Sequence, residues 1–241
     1  MLAASAIELI GATPLVALDR AHRGPGRIVA KAELLQPGGS VKDRAAKAIL
    51  LAARADGRLQ PGRPVVEMTS GNMGAGLAVA CATLGHPLLV TMSAGNSPAR
   101  ARLLEALGAE VVLIPQVDGA PGEVTGRDVE AAAAAARVLA ADRGGFYVDQ
   151  FNAAEGITAH ETTTGPEILA QLGRCPEGWV AAVGTGCTFM GGARARKAAN
   201  PATVCAAVEP AGCSPANRLS SRATACRVLA TAWSHPTGTR R

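Results

Sequence analysis

The stretch VVEMTSGNMGAGLAVACATLGHPLLVTM, residues 65–92, decides the fold. VVEM (65–68) and LLVTM (88–92) are short apolar runs with the look of buried strands. Between them, 73–84 reads as a helix, opened by a polar Gly-containing turn and closed by Gly85. The alternation continues outward in both directions. Further strands are expected at 28–34, 110–114, 179–183 and 203–208, and further helices at 41–55, 97–107, 127–143, 165–172 and 188–199. Strand–helix alternation with short loops implies an α/β fold with parallel sheets covered on both faces. The alanine run at 131–136 is a helix segment of high propensity, and no repeat of fixed period is present.

Composition narrows the function classes. The chain has 241 residues, 48% of them hydrophobic, which is enough for one large α/β domain or two small ones. Aromatic residues make up only 2%, so the core rests on aliphatic and small side chains. The net charge of +5 comes from scattered Lys and Arg, and part of the surplus lies near the end, where no acid follows Glu209. No clustered basic face of the kind nucleic acid requires is present. The most apolar segment, 75–92, is interrupted by Gly85, His86 and Pro87 and does not read as a membrane span. The start, MLAASAIELIG, lacks the basic region of a secretory signal. Six cysteines, at 81, 175, 187, 205, 213 and 226, form no C-x-x-C pair and have no His at metal-ligand spacing. The expectation is a cytoplasmic protein with free thiols, without nucleic-acid, membrane or metal binding.

In open parallel sheets, ligands bind beyond the carboxyl ends of the strands, beside helix N-termini. Three loops occupy such places. In PGGSVKDR (37–44), Ser40 reads as a helix N-cap, with Asp43 completing a capping box. Lys42 then falls in the first turn, where the helix dipole disfavours a cation and Arg44 adds like charge. Both favour a neutral, nucleophilic amine. Ala45, Ala46, Ile49 and Ala53 form one apolar face of that helix. In TSGNMG (69–74), Thr69, Ser70 and the loop N–H groups suit a carboxylate, and Asn72 both donates and accepts. In GTGCT (184–188), a Gly-rich turn before a helix suits a phosphate, although it is neither a Walker loop nor a dinucleotide fingerprint. Taken singly, each loop also has a bland reading: a solvated lysine, a polar turn capping a helix, an ordinary glycine turn.

Seven segments in order remove that ambiguity: IGATPL (10–15), QPGGSVKDRAA (36–46), EMTSGNMGAGLA (67–78), LLEALGAEVVL (103–113), TTGPEI (163–168), VGTGCTFMGG (183–192) and AAVEP (206–210). Together they resemble the cysteine synthase and cystathionine β-synthase family of pyridoxal-phosphate (PLP) enzymes, over about 1–212. The resemblance implies the fold of the tryptophan synthase β-subunit group, two three-layer α/β domains with PLP between them. A large domain would comprise 1–35 and 146–212, and a small one 36–145. It implies Lys42 as the cofactor-bearing lysine and general base. Asn72 would meet the cofactor's 3′ hydroxyl, and Gly184, Thr185, Gly186, Cys187 and Thr188 would hold its phosphate. Thr69, Ser70, Asn72, Met73 and Gln150 would take the substrate carboxylate. The implied activity is β-replacement on an O-activated serine, above all formation of cysteine from O-acetylserine and sulfide. The implied partners are a small amino-acid substrate and a second copy of the chain.

Three departures qualify these expectations. Met73 stands where the family usually has threonine, and Cys187 where it has glycine. If position 187 needs positive φ, cysteine there costs about 1 kcal/mol or more. Family members also extend further at the C-terminus, so the second domain is expected to be incomplete. Residues 213–241 read as an atypical tail, translated out of frame from Ala230 in one reading. Cystathionine β-synthase-like activity and a non-catalytic fragment are the alternatives.

Overall fold

A computed structural model describes residues 2–209. The expectations for 213–241, and those for 210–212, lie outside the described residues. The chain begins with a small antiparallel ribbon, β1 (Leu15–Ala17) against β2 (Val29–Lys31). Helix α1 (Lys42–Ala55) follows, then β3 (Val65–Met68), α2 (Asn72–Leu84), β4 (Leu88–Ser93), α3 (Pro98–Ala106) and β5 (Glu110–Ile114). Helix α4 (Gly126–Asp142) leads to β6 (Phe146–Tyr147). Strands β3, β4, β5 and β6 form one sheet in the order β5-β4-β3-β6, parallel throughout.

Burial on both faces explains the unbroken apolar character of β3 and β4. Val65, Leu88 and Val90 pack with Ile49, Leu50 and Leu77 from α1 and α2, whereas Val66, Met68 and Leu89 pack under Ala132, Ala136 and Ala140 of α4. The alanines let α4 lie close to the sheet. Its start is fixed by Thr125, whose hydroxyl and main-chain N–H exchange hydrogen bonds with Asp128 in a full capping box. At α1 the expected face is buried, with Leu50 added to it. Helices α1 and α2 come into backbone contact: a Cβ on Gly76 would lie 3.0 Å from the Asp43 Cα.

The second α/β unit is incomplete among the described residues. Helix α5 (Ala154–Ala159), a π-helical turn at His160–Thr164 and α6 (Gly165–Leu172) run almost continuously. Strand β7 (Gly178–Ala182), α7 (Cys187–Ala199) and β8 (Val204–Val208) follow, with β7 parallel to β8. Trp179 and Ala181 pack with Phe189 and Met190 of α7, but Val180 and Val204 are 62% and 68% exposed. Cover on both faces therefore holds for the four-stranded sheet and not for β7–β8, because helices back only one side of the latter. No described helix is long and apolar enough to cross a membrane.

Arg44 binds the two units together. Its Nε and Nη2 each donate to Glu33 at 2.8 Å, and Nη1 and Nη2 donate to the two oxygens of Glu167 at 2.7 and 2.8 Å. Thr13 and Thr163 accept further bonds, and Lys31 pairs with Glu167 at 2.7 Å. Burial, the largest single influence, pushes both carboxyls up, yet the hydrogen bonds from Arg44 and their other donors together with the Arg44 charge outweigh it, holding Glu33 below its ordinary range and Glu167 at about 2. Removing the guanidinium leaves the partly buried Glu33 without a cation and Glu167 with Lys31 alone. Arg44→Ala is expected to lower the unfolding free energy by about 3–5 kcal/mol, measured by urea denaturation. A loss below about 1 kcal/mol, typical of a surface pair, would contradict this account.

Candidate active site

The cleft lies past the carboxyl end of β3, where α1, α2 and α3 converge. It encloses about 480 Å³ and is lined by Lys42, Thr69, Ser70, Asn72, Met73 and Gln150, with Gly38 and Arg100 at its sides. Every residue expected to meet the substrate carboxylate therefore shares one cavity with Lys42. The glycine turn arrives from the other unit: the Lys42 ammonium nitrogen lies 2.8 Å from Thr185 Oγ1, across 143 positions of sequence.

Local structure differs from expectation at the start of α1. Ser40 Oγ accepts from the Lys42 N–H at 3.2 Å, but no capping box closes. The Asp43 carboxylate instead takes the N–H of Gly38, drawing the Pro-Gly-Gly turn under the helix. Arg44 is also not what lowers the amine's basicity, because its charge is spent on Glu33 and Glu167. Burial shifts the Lys42 pKa down, partly opposed by Cys187 and Glu67.

Glu67 supports the cleft from beneath. It is fully buried in β3, and Gln150 Nε2 donates to its Oε1 at 3.1 Å and to the Met68 carbonyl at 3.3 Å. Burial raises its pKa to about 8, so near neutral pH it is largely protonated. An acid inside the apolar run VVEM was the signal for it in the sequence. Arg100 was not legible from any motif. Its Nη1 reaches Ser70 O and Oγ, each at 3.3 Å, and so steadies the 69–74 loop.

The 184–188 turn carries its left-handed residue at Gly186 (φ +84°), one position before Cys187. Cys187 is the first residue of α7 and is not among the residues with positive φ. The strain feared at 187 is therefore absent. Its thiol packs beside Gly156 of α5. Thr188 Oγ1 lies 3.2 Å from Nε2 of His160, whose Nδ1 meets Thr164 Oγ1 at 2.9 Å. Burial, and next the charge of Arg44, lower His160 to about 4, so the imidazole is neutral and links the π-helical turn to α7. The sequence reading missed His160.

A phosphate-bearing aldehyde fits this arrangement. Burial lowers the basicity of the half-buried amine, and the turn beside it precedes a helix whose first N–H groups lack helical partners. A Cβ on Gly184 would meet no atom within 4 Å, so that main chain is open to a ligand. Parallel sheets joined at a cleft that holds a half-buried lysine, with a glycine turn in contact with that lysine, define a class, the α/β enzymes that carry an aldehyde cofactor on lysine. The chain belongs to the pyridoxal-phosphate dependent enzymes, whose family model matches residues 7–238. It is 38% identical to a cysteine synthase of Staphylococcus aureus (strain N315) over 205 residues, 84% of this chain and 63% of that relative. A probable cysteine synthase of Bacillus subtilis (strain 168) is 37% identical over 214 residues, 87% of this chain and 66% of the relative. Among solved structures, O-ureido-L-serine synthase matches with a TM-score of 0.79 and 34% identity, covering 90% of this chain and 66% of the other. A hydrogen sulfide-producing enzyme from Fusobacterium nucleatum matches at 0.81 and 32%, covering 90% and 69%. The chain thus spans less than two thirds of the length of the Staphylococcus relative.

Glu67 gives the site a measurable pH signature. The folded state keeps its proton to about pH 8, whereas the unfolded carboxyl loses it near its ordinary 4.5. The stabilisation is whole below pH 4.5 and is lost as pH rises toward 8. Glu67→Gln, which preserves an acceptor for Gln150, is expected to remove a decline of up to about 1.4 kcal/mol per pH unit. Denaturant melts of both proteins across this range check it; parallel pH dependences would refute the protonation assigned to Glu67.

Proposed function

We propose that the chain is a β-replacement enzyme acting on an O-activated serine, with O-acetylserine and sulfide as donor and nucleophile and cysteine as product. The observation that carries this is the single cavity shared by Lys42, the TSGNM loop and Gln150, with Thr185 in contact with the lysine. The relatives named cysteine synthase support it.

In this reading Lys42, Asn72 and residues 184–188 hold PLP. When bound, PLP accepts the negative charge left at Cα as its proton departs. The loop N–H groups and the hydroxyls of Thr69 and Ser70 fix the substrate carboxylate, with Gln150 beside them. Lys42, kept poorly basic by burial, takes the Cα proton and returns it at the end. Arg100 restrains the loop through Ser70. Met73 is 2% exposed and puts a thioether where a hydroxyl would offer another donor, so position 73 contributes only its main-chain N–H. Residues 36–145, extended by β6, which pairs with β3, form the small domain, and 1–35 with the described residues after β6 the large one. The chain works in the cytoplasm as a homodimer on a small amino acid, apart from nucleic acid and membranes.

A second reading, a non-catalytic fragment, is favoured by the exposed valines of β7 and β8. Absorbance of the purified chain titrated with PLP separates the two. The enzyme reading expects a visible band from lysine-bound cofactor. That band should vanish in Lys42→Ala with the circular dichroism unchanged, and shift when O-acetylserine is added. A colourless preparation, or a band that survives in Lys42→Ala, defeats it. Product analysis with sulfide then distinguishes cysteine formation from cystathionine β-synthase-like chemistry.

A further inference from the structure

Three consecutive threonines end the π-helical turn at His160–Thr164, and they do not behave alike. Thr162 and Thr163 donate their hydroxyls to the carbonyls four residues back, those of Thr158 and Ala159, at 2.8 and 2.5 Å. Thr164 does not follow them. Its hydroxyl is buried and meets Nδ1 of His160 at 2.9 Å. The ring is itself 0% exposed, and its other nitrogen, Nε2, lies 3.2 Å from Thr188 Oγ1 in the first turn of α7. The seam is tight, because a Cβ on Gly191 of α7 would collide with the Ile157 carbonyl and with Cβ of His160. The turn is thus pressed against α7, with the imidazole held between the two.

Buried donors need acceptors, and that requirement places the proton of the ring. The imidazole is neutral and carries one proton, on Nδ1 or on Nε2. On Nδ1, it would make Thr164 the acceptor, and the buried Thr164 hydroxyl would have no acceptor of its own among the described residues. Nε2 would then take the Thr188 proton. On Nε2, every donor is used: Thr164 donates to Nδ1, and Nε2 donates to Thr188 Oγ1. The Thr188 proton meets no other group among the described residues and stays available to a ligand. A hydroxyl that accepts such a bond is also polarised into a better donor.

We infer that His160 is a positioning residue for the glycine turn: it holds the Nε2–H tautomer, donates to Thr188 Oγ1 and so directs the Thr188 proton to the phosphate of the cofactor. This rests on the reading that residues 184–188 hold PLP. It adds a neutral donor chain, Thr164 to His160 to Thr188, that ends on an anion.

The full chain labelled with nitrogen-15 at histidine tests the proton directly. Of its four histidines, His160 is identified by the signal that His160→Gln lacks. Magnetic resonance should show hydrogen on Nε2 and a bare Nδ1; the opposite tautomer overturns the inference. PLP affinity, titrated by absorbance, supplies a second readout. Thr188→Val and His160→Phe should each weaken it about tenfold or more, as expected for one hydrogen bond to a charged group. His160→Gln, whose amide can donate from the place of Nε2, should keep most of the affinity. The double variant His160→Phe/Thr188→Val should bind no more weakly than Thr188→Val alone, because both changes remove the same proton. Additive losses, or unchanged affinity in Thr188→Val, overturn the inference and leave the cofactor reading standing. A wild-type chain that gives no band of lysine-bound PLP defeats both. If His160→Phe fails to fold, the tautomer and Thr188→Val decide.

Discussion

One guanidinium holds the architecture in register. Arg44 stands two residues after Lys42, and its fork meets Glu33 ahead of α1 and Glu167 on α6. A planar fork can satisfy two carboxylates at once with fixed angles, which a lysine in its place could not. Through it, the start of α1 is pinned against the helices of the second unit. That leaves Lys42, two residues and about 200° of helical phase away, directed at the glycine loop. The contact between Lys42 and Thr185 follows from this clamp.

The clamp also sorts the charges. Arg44, Glu33 and Glu167 stay ionised in a mutually matched cluster, which Lys31 joins through its ion pair with Glu167. Inside the cleft and beneath it, burial suppresses ionisation: Lys42 is shifted down, Glu67 up to about 8 and His160 down to about 4. A site of low fixed charge suits an amine that must act as nucleophile and base. It also suits a dianionic phosphate held by main-chain N–H groups and a helix start instead of by cations.

The two sheets illustrate how completeness depends on cover. The four-stranded sheet has helices on both faces, and its central strands are wholly buried. Among the described residues the β7–β8 pair has helices on one side and exposed valines on the other. The chain spans 63% of the Staphylococcus relative's length, and yet the lysine, the carboxylate loop and the glycine turn all lie within the described residues.

Alone, the sequence determined most of the elements and singled out the residues that the fold gathers at the cleft. The strands at 65–68 and 110–114 and the helix at 165–172 stand where their apolar patterns place them, because those patterns are local. Lys42, the TSGN loop and the glycine turn were legible for the same reason: each is a short run whose chemistry is carried by adjacent residues. Tertiary structure alone decided the rest. That Arg44 neutralises Glu33 and Glu167 instead of repelling Lys42, that Asp43 turns back to Gly38, and that His160 joins Thr188 are matters of direction in space. So is the harmless φ of Cys187. Pairings across more than a hundred residues leave no periodicity to read, and burial, which sets the basicity of every group in the cleft, exists only once the chain has closed around them.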